Sequence, residues 1–117
     1  MGLNNSGRNV GLNAIGAVGL YLSLHTADPG TSGTSEVTGG SPAYARKAVT
    51  WAAASGGSMA TSAAVTFDIP AGTTITHYGV WSAVSSGTFY GGGALSASEA
   101  FGGQGTYQLT SATISIT

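Results

Sequence analysis

Apolar and polar residues alternate along most of this chain, and the alternation begins abruptly. Over residues 17–26, AVGLYLSLHT places Val18, Leu20, Leu22 and Leu24 on one side and Gly19, Tyr21, Ser23 and His25 on the other. A period of two predicts a strand. The same period recurs in YARKAVTW (44–51) and in TTITHYGVW (73–81). It also recurs in AVTFDIP, where Val65, Phe67 and Ile69 point inward until Pro70 stops the run. A turn at 85–87 leads into TFYGGGAL, and SASEAFGGQG reads as a loop. TYQL and ATISIT close the chain. Inward parity passes from Tyr107 and Leu109 to Ile114 and Ile116, which calls for a bulge or turn near Thr110 and Ser111.

The remaining segments are weaker. MGLNNSGRNVGLNAIG fits a short helix capped by Ser6, with Val10, Ala14 and Ile15 on one face; an extended arm fits nearly as well. Gly7, Gly11 and Gly16 each cost such a helix about 1 kcal/mol relative to Ala. Residues 27–42 carry two prolines and four glycines and read as a long surface loop, with a brief strand at 36–38. AAASGGSMATSA reads as a small-residue connection. Six to eight short strands, Gly-rich turns and no interior helix predict an all-β fold. The expected form is an antiparallel β-sandwich or jelly roll with a short N-terminal helix or arm. The division is 1–16 for the arm or helix and 17–117 for a single β-sandwich domain.

Composition narrows the function. Charged residues are 6% of the chain, against about 25% ordinarily, and 20 residues are glycine. Ser and Thr supply 15 residues each, so the surface is largely neutral hydroxyl. A net charge of −1 gives weak colloidal repulsion and suits a packed assembly. Three cations make no footprint for phosphates, which argues against nucleic acid. No segment approaches the roughly 18 apolar residues of a membrane span, and no export signal is expected. With no cysteine, a thiolate site or disulfide is excluded.

Candidate chemistry is sparse. His25 and His77, with Asp28, Glu36, Asp68 and Glu99, allow Ser-His-Asp combinations on paper, but no GxSxG elbow anchors one. No HxH or HxxxH pair seeds a metal site; His25 more simply ends a strand, and Asp28 opens the turn before Pro29. His77 is expected to bond a neighbouring backbone group or to pack on Trp81. The glycines at 91–93 and 102–105 lack the following helix and Lys of a phosphate loop, and fit bulges, turns or close backbone approach. Aromatics such as Trp81, with Asp68 or His77, are a possible sugar-stacking surface, although most should form the core. Catalytic residues, metal and cofactor are therefore expected to be none.

Two of the three cations, Arg46 and Lys47, are adjacent and so point to opposite faces of their strand. One is expected to meet solvent or pair with Glu36, and the other to contact a neighbouring subunit or an underlying shell. The alternative is an edge strand along which both side chains snorkel.

LSLHTADPG, EVTGGSPAYARKAVTW, DIPAGTTITHYGVWSA and GTFYGGGALSASEAF followed by GGQGTYQLT resemble a known family. Its members are small virion proteins of tailed bacteriophages and related prophages, labelled tail fibre-like, minor tail or head-decoration proteins. The resemblance runs from about Leu20 to the end and brings no catalytic motif. It implies a non-enzymatic structural role in the virion, on the head surface or the tail, after assembly in the host bacterial cytoplasm. With composition it favours an oligomeric capsid-surface decoration protein, expected as a trimer; a minor tail or fibre-associated protein, with carbohydrate or receptor binding, is the alternative. Expected partners are further copies of the chain and the major capsid or tail proteins. Arg8, Asp28, Pro29, Glu36, Tyr44, Arg46 and Lys47 are the expected interface residues.

Overall fold

The computed structural model describes residues 2–116; Met1 of the expected arm and Thr117 of the last expected strand lie outside them. A helix, α1 (Asn5–Gly16), precedes eight strands: β1 (Tyr21–His25), β2 (Lys47–Ala48), β3 (Ser58–Ala60), β4 (Val65–Ile69), β5 (Thr73–Trp81), β6 (Phe89–Phe101), β7 (Gly105–Leu109) and β8 (Thr113–Ser115). They form a four-stranded sheet in the order β2-β1-β5-β6 and two pairs, β3-β8 and β4-β7, all antiparallel.

The alternating residues close the core between the main sheet and the β4-β7 pair. Leu20, Leu22 and Leu24 meet Phe67 and Ile69 of β4, Ile75 and Val80 of β5, and Leu109 of β7. Phe67, Leu22, Leu24, Ile69 and Ile75 are fully buried, which makes this cluster the main hydrophobic contribution to folding. Ser23 and His25, on the opposite parity of β1, are buried as well, so β1 is covered on both faces. Val18 departs from its expected inward position. Gly19 turns the chain at φ +75°, and Val18 is 65% exposed.

Sequence and structure part at four other places. Asn4, not Ser6, caps α1, accepting from the Gly7 N–H at 3.0 Å. The helix turns Leu12 inward and leaves Val10 and Ile15 outward, because its contacts are with β3 and β8: a Cβ on Gly16 would stand 3.2 Å from Met59. YARKAVTW keeps only two residues of regular strand plus a bridge from Trp51 to Thr61. The Tyr44 N–H is spent on Gly39 O, and the Arg46 side chain is drawn into contacts described below. Part of the small-residue connection pairs as β3 with β8. Finally, the loop expected from Ser96 is strand up to Phe101. It is an irregular strand: Ile75 faces Glu99 but His77 faces Ala94, so residues 95–98 bulge from the ladder.

The triple glycine serves close approach. A Cβ on Gly92 would run into Tyr78 O, and one on Gly93 would stand 2.9 Å from the Tyr78 hydroxyl.

Candidate functional site

The sequence 27–42 folds back on β1 instead of hanging loose. Asp28 Oδ1 accepts from the Gly30 N–H at 2.9 Å, forming the turn around buried Pro29. Thr26 N donates to Ser35 O and Val37 N to Leu24 O, which returns the chain alongside β1 and buries Val37. That return places Glu36 opposite the segment 44–46.

Glu36, Tyr44 and Arg46 converge there. Arg46 Nε and NH2 each reach a different Glu36 oxygen at 2.9 Å, a fork-to-fork pair with side chains 8% and 19% exposed. Arg46 NH1 donates to Ala83 O at 3.1 Å and to Ser86 O at 2.7 Å, pinning the β5–β6 turn. The Tyr44 hydroxyl accepts from the Leu24 N–H and donates to Glu36 Oε2, both at 2.9 Å. Burial, reinforced by the Glu36 charge, pushes that hydroxyl well above the usual tyrosine range. A shallow depression of about 420 Å³, rimmed by Thr38, Val84 and Ser85, lies over this cluster. Every Glu36 and Arg46 group is already engaged, so the ion pair ties three segments together.

Beneath it runs a buried hydrogen-bond chain. Trp81 Nε1–H can only donate, and its acceptor is Ser23 Oγ at 2.9 Å. The Ser23 hydroxyl hydrogen is then directed to His25 Nε2 at 2.7 Å, and His25 Nδ1–H donates to Thr34 O at 2.8 Å. One assignment satisfies every group, and it requires neutral His25. Burial lowers the His25 pKa, offset in part by the Thr34 carbonyl and Glu36. The spacing is that of a nucleophile and its base. Ser23 and His25 are both 0% exposed, so no substrate reaches them here.

The seven sequence-derived interface residues fall in separate places. Glu36, Tyr44 and Arg46 form one cluster; Asp28 and Pro29 build the nearby turn. Lys47 lies on the edge strand β2 opposite Leu22, and Arg8 lies on α1 against Gly57. The expected pairing of one cation with Glu36 is met by Arg46. His77 bonds the neighbouring Thr76 side chain at 2.8 Å, not a backbone group or Trp81. Trp81, the candidate for sugar stacking, is 9% exposed and lies under Arg46. Sequence reasoning missed the roles of Ser23, Thr34 and Trp81. The available signal was LSLH, whose polar parity needs buried partners once both faces of the strand are covered.

Among the described residues no three His, Asp or Glu side chains converge to hold a metal ion, and the geometry points to tethering. The model of the family described as podophage GP4 fiber I protein gp80 matches residues 6–117. The chain belongs to this gp80 fiber protein family. The match takes in α1 from its second residue, all eight strands and the Glu36–Arg46 cluster, so the fold described above is that of a gp80-family domain. Membership makes the chain a phage structural protein of a fibre-related family. A search of curated proteins finds no match.

Proposed function

We propose that the chain is a non-enzymatic structural module of a podophage tail fibre, present as several copies that pack against one another and against tail proteins. The observation that carries this reading is the family match over residues 6–117 to a fiber protein. Composition favours a packed assembly without choosing head or tail; the family's description as a fiber protein supports the tail. The architecture is compatible with a passive building block. Glu36, Tyr44 and Arg46 are spent on internal tethers, and the one ion pair among the described residues braces a loop and a turn.

Immunogold labelling of intact source virions, viewed by electron microscopy, tests the location. Gold confined to the tail end, at a handful of copies per particle, is the expected result. Gold spread over the head would replace the proposal with capsid decoration, and unlabelled particles would overturn both.

A further inference from the structure

Among the described residues six large apolar side chains stand exposed, and four belong to residues 3–18: Leu3 (49%), Val10 (72%), Ile15 (36%) and Val18 (65%). A fifth, Tyr90, shares with Ile15 a cleft of about 250 Å³ between α1, β6 and β8. The helix therefore has two apolar sides. Leu12 and Gly16 face β3 and β8, while Val10 and Ala14 face away. An apolar outer face on a surface helix is unexplained until something covers it.

We propose that this face is a self-association surface, and that its occupant is the same face of a second copy. The spacing supports a helix as partner. Leu3, Gly7, Val10, Ala14 and Ala17 follow one another at intervals of four, three, four and three, the interval pattern that keeps one seam toward a facing helix. Leu3 lies over Gly7, 3.3 Å from where a Cβ would stand there, so it continues the seam below the helix start.

Charge selects the copy over other occupants. Arg8 is the only charged residue in α1, and its stem packs against Gly57, away from Val10. A membrane surface is recognised by Lys and Arg flanking the apolar stripe, which α1 lacks. A charged protein partner would find no counter-charge. An identical neutral face meets no repulsion, and the whole chain carries a net charge of only −1.

Area sets the strength. Leu3, Val10 and Val18, the large side chains exposed on that side, present on the order of 300 Å², an ordinary bare patch for a monomer. A stable interface covers about 800 Å² per partner. The contact is accordingly weak between dilute chains and strong where copies are held side by side. It extends the fibre reading without resting on it, because the isolated chain displays it.

Sedimentation equilibrium of the purified full chain, from about 10 µM to about 1 mM, is the test. The expected result is a weight-average mass that rises with concentration. Val10→Asp and Val10→Lys should each remain monomeric over that range, and an equimolar mixture of the two should associate again. Val84→Asp, at the exposed β5–β6 turn, should behave as the parent chain. Circular dichroism of each variant should match the parent, since Val10 and Val84 are solvent-facing. A parent chain that stays monomeric at about 1 mM, Val10 variants that associate like the parent, or a mixture that stays monomeric would each overturn the proposal. So would an equal loss on Val84→Asp. None of these results depends on where the protein sits in the virion, so the location reading stands or falls separately.

Discussion

The guanidinium of Arg46 lies over Trp81, its central carbon 3.6 Å from the ring centroid. Cation–π contact is thus added to the two bonds to Glu36 and the two to the β5–β6 turn. One side chain fixes the loop 27–42, the segment before β2 and the turn at 82–88.

Removing that side chain should be costly. Arg46→Ala leaves Glu36 largely buried without its counter-charge, and the expected loss is about 3 kcal/mol. Arg46→Lys should recover less than half, because an ammonium cannot make the fork or the stack. Thermal denaturation followed by circular dichroism should show Arg46→Ala melting on the order of 10 °C lower. A loss below about 1 kcal/mol would mean that the pair behaves as a solvent-exposed one.

Acid should weaken the fold through His25. Its folded-state pKa is below the unfolded value of 6.5, so the unfolded chain takes up the proton first. The contribution of neutral His25 is intact above about pH 6.5 and declines as pH falls through and below that value. Glu36, Arg46 and His77 are the charged or titratable groups that bear on it. Urea denaturation between pH 5 and 8 should show stability falling toward the acid end. His25→Gln should be less stable at pH 7 but show a shallower fall. An unchanged slope in that variant would assign the effect elsewhere.

Tyr44→Phe deletes one hydroxyl that serves two partners. The Leu24 N–H loses its acceptor and Glu36 loses a donor, for an expected cost of about 1–3 kcal/mol. The pKa of Tyr44 is raised in the folded state, chiefly by burial, so its contribution is present below about pH 10 and is lost as pH climbs above that. Chemical denaturation at pH 8 and pH 11 should show a smaller alkaline loss in Tyr44→Phe than in the parent chain.

Gly79, on β5 opposite Ser23, is the tightest of the buried glycines. A Cβ there would stand 2.6 Å from Ser23 Oγ, 2.7 Å from His25 Nε2 and 2.8 Å from Phe89. Gly79→Ala should cost about 2–3 kcal/mol by forcing apart the Trp81–Ser23–His25 chain. Gly102→Ala meets nothing within 4 Å and should change stability by less than about 0.5 kcal/mol. Equal melting temperatures for the two variants would contradict the packing described for β1 and β5.

How far the sequence reaches can be judged from these same residues. The bounds of β5, the inward set Val65, Phe67 and Ile69, and the parity break after Leu109 follow from period two alone, because packing on one core face enforces it. The Arg46–Glu36 pairing was also legible, since few charges were available to pair. The rest depended on long-range partners. Residues 96–98 look loop-like because they are small and mostly polar, yet β5 holds the strand on both sides of them. The inner face of α1 is set by where β3 and β8 lie, and no local pattern records that. Ser23 and His25 looked like outward residues because burial of the second face of β1 comes from the loop and the β5–β6 turn.

The first helix and the last strand are sewn to the same short segment. Asn9 accepts from the Gly57 N–H at 3.0 Å, Gly57 O accepts from the Ile116 N–H at 3.3 Å, and a Cβ on Gly11 would stand 3.0 Å from Ile116. Tension applied between the two ends of the chain is therefore carried across a short seam before it reaches β4 or β5. Under such tension the seam is expected to part before the Phe67 core is loaded.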